Sequence, residues 1–388
     1  MTLSPIFNIF RHFKQLNISG MPDVLSYFGL ISLAIYAIIL LILISGCLRL
    51  RNHKSHILPR ISVVVAARNE EKNLGRCLRA LLSQTYLADR TQIVVVNDRS
   101  TDNTAVVLEE HRRQHSNFEL VTIPSGTKRA SPKKYALSKA ISKASGDLIF
   151  TTDADCTPSP EWLADTVPLF GDNVGMVVGP APFEEKDDPW NRVLALDNLA
   201  NAVVSAGTVG WNIGATCTGR NLAYRKEAFE EVGGFSEIEH SLSGDDDLLL
   251  QQLANRTTWK MTYALNPKVA VPSPAASGPS QFIRQRRRHV SAAKHYSRPL
   301  QASYLLFNLC NTYLFSFWIF SLFLQQHLPT ATALLAMKIC LDFLALAWMA
   351  NKLGQNKLLA WIPLWELFFL INQTFISPLG LVGKVKWK

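Results

Sequence analysis

The chain has 388 residues, 48% of them apolar, and a formal net charge of +10. Its length exceeds one minimal domain, and long apolar runs near both ends exclude a uniformly water-soluble or disordered chain. The net charge taken alone admits nucleic acid as a partner. However, Arg284, Arg286, Arg287, Arg288, Lys294 and Arg298 directly precede an apolar run, where lipid headgroups and topology account for them, so no nucleic-acid partner is expected.

Residues 1–23 mix Phe7, Ile9, Phe10, Phe13 and Leu16 with Arg11, His12 and Lys14, a pattern that predicts a short helix on a membrane surface. Tyr27 to Leu48 carries no charge and is long enough to cross a bilayer, so 24–50 is predicted to be a transmembrane helix. Arg49, Arg51 and Lys54 follow it, which distinguishes it from a signal peptide and places its C-terminal end in the cytoplasm. Residues 59–280 alternate β-branched runs with helical patterns, predicting a cytoplasmic α/β domain with a mostly parallel central sheet. Its clearest strands are 61–66, 93–96 and 148–152, with helices over 73–82 and 104–111.

Pro272, Pro274, Gly278 and Pro279 mark a linker to a basic interfacial segment, 281–300. Beyond it, 304–324, 331–350 and 358–381 predict about three apolar helices in a membrane region of 301–382. Four full spans would leave Lys384, Lys386 and Lys388 outside, against the preference for cytoplasmic positive charge. Turning the last stretch back at Asn372, Gln373 and Pro378 removes the conflict. Lys338 and Asp342, four apart in one apolar run, suit a buried pair, and Glu366 in another suits a polar contact to a lipid. The six cysteines form no CxxC pair, so neither a disulfide framework nor a zinc site is expected.

The candidate chemistry lies at strand ends. Asp153 and Asp155 follow the strand 148–152, at the edge where open α/β sheets bind ligands, and two carboxylates there can hold Mg²⁺ or Mn²⁺ against a diphosphate. Asp98 follows the strand 93–96 and can reach a ribose or base, while Asp102 suits a helix cap. Glu70 follows the first strand, where acidic residues also favour a helix start. Asp245, Asp246 and Asp247 crowd together before an apolar helix, and such a trio can keep one carboxylate ionised yet basic enough to accept a hydroxyl proton. Gln285 and Arg288 share a helix face beside the membrane region, and an arginine there can hold a departing phosphate.

Taken in order, these motifs resemble glycosyltransferase family 2, in its membrane-bound branch of ceramide glucosyltransferases and processive polysaccharide synthases, over roughly residues 60–290. Val96 to Thr104 resembles the family's Asp-Gly-Ser-Thr-Asp motif, with Asp98 at the nucleotide-contacting aspartate and Arg99 where glycine is usual. Lys133-Lys134-Tyr135-Ala136-Leu137, ahead of Asp153-Ala154-Asp155, resembles its Lys-x-x-Ala-Leu and DxD stretch, which makes Lys133 a candidate donor contact. Gly219-Arg220-Asn221 is similar to an acceptor-side segment. The acidic trio aligns with the catalytic-base motif, with Asp245 at the base position, Gly244 where glutamate is often found, and Asp246 or Asp247 as alternatives. Gln285 to His289 resembles Q-x-x-R-W with His289 in place of tryptophan, a departure that counts against a polysaccharide synthase.

The resemblance implies a GT-A fold and a metal-dependent, inverting hexosyltransferase. It would take a nucleotide-diphosphate-sugar, a UDP-sugar foremost, and a lipid or other membrane-associated acceptor. The catalytic residues would be Asp245 and Asp246, with Glu70, Asp98, Lys133, Asp153, Gln285 and Arg288 on the donor and Asp153 and Asp155 on the metal. The expected setting is a bacterial inner membrane, catalytic domain cytoplasmic. A processive polysaccharide synthase and a catalytically silent scaffold on the same fold are the alternatives.

Overall fold

A computed structural model describes residues 21–50, 55–127 and 129–382. The surface helix expected over 1–23 lies outside the described residues up to residue 20, as do Arg51, Lys54, Lys384, Lys386 and Lys388. The chain divides into two compact units, one of residues 1–41 and 302–344, the other of 42–301 and 345–388.

In the larger unit seven strands form one sheet. They are β1 Ile61–Ala67, β2 Thr91–Asp98, β3 Phe118–Ile123, β4 Leu148–Asp153, β5 Val174–Val178, β6 Leu222–Arg225 and β7 Lys260–Tyr263, in the order β3-β2-β1-β4-β6-β5-β7. β6 runs antiparallel to β4 and β5, and the other pairs are parallel. β1, β4 and β5 are buried almost throughout, as expected where both sheet faces are covered and the strands read as unbroken apolar runs. The three predicted strands are β1, β2 and β4.

Helix α1, Met21–Arg49, precedes the sheet. α2, Leu74–Leu82, lays Leu74, Cys77, Leu78 and Leu81 into the core at helical spacing. α3 is Thr104–Gln114, α4 Pro132–Ile141 and α5 Trp162–Thr166, whose Trp162 meets Phe150 edge-on at 5.3 Å. α6, Pro189–Gly210, was not among the predicted spans, yet it is long and apolar enough to cross a membrane; 61% of its apolar window is buried within the protein. The end of α1 crosses α6 backbone to backbone, since a Cβ on Gly46 would lie 2.0 Å from the Gly207 carbonyl oxygen and one on Gly210 1.9 Å from that of Gly46. Only glycine permits this approach. Trp211 locks the crossing by donating Nε1–H to the Ile42 carbonyl at 2.9 Å, with Arg49 stacked 4.1 Å over its ring.

The larger unit continues with α7 Lys226–Glu231, α8 Asp247–Arg256 and α9 Pro279–Ser291. α10, Arg298–Leu324, and α11, Leu328–Leu353, are candidate spans, and α12 covers Ile362–Ile371. The last apolar stretch stays helical over Asn356–Gly380, long and apolar enough to cross a membrane, rather than turning back; only the helix type changes, from α12 to a π turn at Asn372–Ile376 and a 3-10 turn at Ser377–Gly380. Gly380 then rests on α9, because a Cβ there would meet the Arg287 carbonyl oxygen at 2.9 Å.

In the smaller unit, Leu33, Leu314, Phe317, Ala331 and Leu334 form an apolar core. The predicted pair is present: Lys338 Nζ lies 2.9 Å from Asp342, whose other oxygen accepts the Tyr36 hydroxyl at 2.7 Å. Lys338 is fully buried, so both its charge and that of Asp342 are matched inside the unit.

Candidate active site

The C-terminal ends of β1, β2 and β4 lie side by side, and Asp98 and Asp153 are the last residues of β2 and β4. A mostly parallel sheet collects loops and helix N-termini at that edge, which favours anionic ligands.

Lys133, in the first turn of α4, ties the site together. Its Nζ lies 3.0 Å from Asp153 Oδ1 and 2.9 Å from Asp245 Oδ2. Burial alone would lower its ammonium, but Asp153, Asp245 and Asp246 overturn that and hold it above the ordinary lysine range. Burial would likewise raise Asp153, yet Lys133, with Arg220 and Arg288, holds it below the usual carboxylate range. Asp155 is pushed up, first by burial and then by the Asp153 charge, and makes no ion pair among the described residues.

Two hard carboxylate groups side by side, one raised by burial and by its neighbour's charge, are the donor chemistry that suits Mg²⁺ or Mn²⁺ completed by phosphate oxygens and water. Asp153 and Asp155 therefore fit the expected metal, although no cluster of three or more His, Cys, Asp or Glu occurs among the described residues.

The acidic trio separates by its hydrogen bonds. Asp246 caps α8, accepting the Asp247 N–H at 2.8 Å and the Gly219 N–H at 2.9 Å. Asp247 accepts the Cys217 N–H at 2.7 Å and the Thr216 hydroxyl at 3.0 Å on one oxygen, and the Tyr296 hydroxyl on the other. Burial and then the Asp246 charge push Asp247 up to about 7. Asp245 faces Lys133 and Asp153. Gly244 stands in the left-handed region at φ 81°, which explains glycine where the family often has glutamate.

Lys134 supports this loop from beneath. Its Nζ donates to the Ser241 and Ser243 carbonyls, each at 2.7 Å, while only 1% of the residue is exposed. Burial lowers its ammonium to about 8. Its neighbour Lys133 was the only one of the two marked by sequence, because the Lys-x-x-Ala-Leu motif places its lysine three residues before Ala136.

Asp98 is buried and gripped by Arg99, whose Nε lies 2.7 Å from Oδ1 and Nη2 3.0 Å from Oδ2. Arg99 adopts φ 56°, so it keeps the backbone conformation that glycine would supply at this motif position. Glu70 lies in the turn before α2, its Oε2 accepting the Asn73 amide at 2.9 Å, and its own N–H bonds to Thr104, which links the β1 and β2 loops. Gln285 and Arg288 are both half-buried on α9, and Arg288 Nη2 lies 3.3 Å from Nε2 of the exposed His289. α9 is fastened to α6 by Arg286, which pairs with Asp197 at 2.5 Å.

Arg220, absent from the predicted site residues, also acts on Asp153. It is held by the Ser273 hydroxyl and, at 3.1 Å, the Ala181 carbonyl, and it stacks 5.0 Å over the Phe183 ring. The adjacent Asn221 accepts Trp162 Nε1–H at 2.8 Å and donates to the Pro180 and Val269 carbonyls, fixing the segment that carries Gly219 and Arg220.

Comparison with known proteins adds to this geometry. The model of glycosyl transferase family 2 matches residues 62–233, and that of glycosyl transferase family group 2 matches residues 148–370. Among curated relatives, a beta-monoglucosyldiacylglycerol synthase of a Synechocystis species is 26% identical over 213 residues, 54% of this chain and 43% of the relative. Glycosyltransferase AglE of Haloferax volcanii is 27% identical over 190 residues, 49% of this chain and 59% of the relative. The chain thus spans about half the length of the curated relatives it matches. A solved mannosyltransferase from Pyrobaculum calidifontis, in complex with GDP-Man and Mn²⁺, superposes with a TM-score of 0.56 at 19% identity, covering 89% of this chain and 99% of that one, and confirms the fold.

Proposed function

The chain belongs to glycosyl transferase family group 2, and from that premise we propose that it is an inverting glycosyltransferase moving a sugar from a nucleotide-diphosphate-sugar to a lipid acceptor at a membrane surface. The observation that carries this reading is the meeting of Asp153 and Asp245 on Lys133, which sets a donor-side carboxylate and an acceptor-side carboxylate around one point.

In this reading Asp245 accepts the proton of the acceptor hydroxyl as that oxygen bonds to the anomeric carbon. The carbon's bond to the diphosphate breaks on the opposite face, and its electron pair leaves with the nucleoside diphosphate. Asp245 is preferred as base because Asp246 and Asp247 are committed to backbone and hydroxyl donors. Asp153 and Asp155 would hold Mg²⁺ or Mn²⁺, which supplies charge neutralisation for the diphosphate. Arg288 and Lys133 add positive charge beside Asp153, and Asp98, oriented by Arg99, would meet the nucleoside. A UDP-sugar is the expected donor. Glu70 and Gln285 would border the nucleotide and the leaving phosphate.

A lipid acceptor is supported by the candidate spans in the described chain and by the relative named for monoglucosyldiacylglycerol synthesis. Placement in an inner membrane with the sheet domain cytoplasmic agrees with Arg49 in the last turn of α1 and with Arg51 and Lys54 following it in sequence.

Calorimetry of purified protein with UDP tests the donor side. Binding should require Mn²⁺ or Mg²⁺ and be lost in Asp155→Ala; equal binding in excess chelator would contradict the metal assignment.

A further inference from the structure

A cavity of about 110 Å³ lies between the first turns of α6 and the turn that follows α11. Asn191 and Arg192 line it from α6, Gln355 and Lys357 from the turn, and Phe183 and Glu185 from the loop before α6. Apart from Phe183, whose ring packs against Arg220, none of these residues takes part in the site described above.

The lining holds two cations against one carboxylate. The Arg192 side chain is only 18% exposed, and its ion pair is long, 3.9 Å to a fully exposed Asp187. Lys357 makes no ion pair among the described residues. A largely buried guanidinium so weakly matched favours an anion that can take paired hydrogen bonds, and a lysine beside it adds a mobile point charge.

Its place in the chain indicates what carries the anion. Gly354 and Gln355 form the link between two candidate spans, Leu328–Leu353 and Asn356–Gly380, so the cavity lies at the edge of the apolar region. The half-buried Trp348 and Trp361 and the exposed Lys352 flank this link, the residue types that settle at headgroup depth. Leu358 closes the cavity, and the exposed Leu364 and Leu367 continue beyond it as surface for acyl chains.

We propose that this cavity binds the phosphate headgroup of an anionic membrane lipid, at a site separate from the sugar-transfer centre. The Phe183 ring in its wall also carries Arg220, so an occupied headgroup site would border the residue that acts on Asp153.

Native mass spectrometry of the full chain in mild detergent, titrated with phosphatidylglycerol or phosphatidylcholine, tests this without reference to activity. Wild type should retain phosphatidylglycerol in preference, and Arg192→Gln with Lys357→Gln should weaken that retention at least about tenfold, the loss expected for charge-assisted hydrogen bonds. Glu185→Gln, which removes the opposing carboxylate without truncating the fold, should strengthen retention. Equal retention of both lipids by wild type, unchanged retention in the double variant, or weaker retention in Glu185→Gln would overturn the proposal. Excess inorganic phosphate should leave the lipid bound; its displacement by equimolar phosphate would assign the site to a soluble anion instead.

Discussion

Replacing Lys134 by Met removes a side chain that touches neither a carboxylate of the site nor solvent, yet it should disable the loop that carries Asp245. Two hydrogen bonds to the Ser241 and Ser243 carbonyls are lost. The Ser243 oxygen keeps the Ser241 hydroxyl at 2.8 Å, while the Ser241 oxygen loses its Lys134 donor inside the protein. One orphaned carbonyl and one weakened one cost about 2–4 kcal/mol. The cost depends on pH in a defined direction. Because burial lowers Lys134 from 10.5 to about 8, the unfolded chain binds more protons than the folded one between those values, and wild-type stability from this group rises with pH across that window. The neutral amine retains both bonds, so the cost should be larger at pH 9 than at pH 7 and complete only above about 10.5. For a domain of this size that corresponds to a fall in Tm of roughly 5–12 °C at the higher pH. Turnover should fall at least about tenfold with donor affinity changed little, since the base and not the donor contacts is displaced. A variant with wild-type Tm at pH 9 and unchanged kcat would refute the positioning role.

Asp247→Asn tests the neighbouring carboxylate. With its folded value raised from 3.8 to about 7, Asp247 holds a proton that the unfolded chain releases, so its contribution to stability is present below about 4 and is lost as the pH rises through 7. Thermal unfolding at pH 5 and pH 8 should therefore differ less in the Asn variant than in wild type, and parallel curves would contradict this. Arg286→Met leaves Asp197, 5% exposed, without its ion-pair partner and should destabilise by about 3–5 kcal/mol, loosening α9 and the Arg288 it carries. Adding Asp197→Leu should recover most of the stability, and thermal unfolding that shows no recovery would argue against a buried pair as the fastening.

Much of the fold could be read in the sequence because a buried parallel sheet leaves unbroken β-branched runs, and β1, β2 and β4 each begin or end close to where those runs do. β6 was not legible in the same way. Its four residues are too short for a periodic signal, and its reversed direction depends on pairing with β4 and β5 rather than on its own composition. Asn372 and Pro378 marked where the last apolar helix leaves regular α geometry, but the run stays helical to Gly380, and its seat on α9 depends on Gly380 meeting a carbonyl far away in sequence.

Within the site, motif order pointed to Asp153, Asp245 and Lys133, and the structure brings these three together. It could not divide labour among three adjacent aspartates, which differ only in which donors surround them after folding. Nor could it mark Lys134 and Arg220, whose partners are mostly backbone carbonyls supplied by distant loops. Arg99 departs from the family's glycine, yet it stands in the left-handed region that glycine enters without strain.

Transfer of a radiolabelled sugar from its nucleotide donor to membrane lipid, measured for wild type and Asp245→Asn alongside donor binding, tests the central claim most directly. The account predicts a lipid-soluble product bearing one or a few sugars from wild type, and from the variant near-normal donor binding with no product. Long polymeric product from wild type, or near-normal transfer by Asp245→Asn, would contradict it.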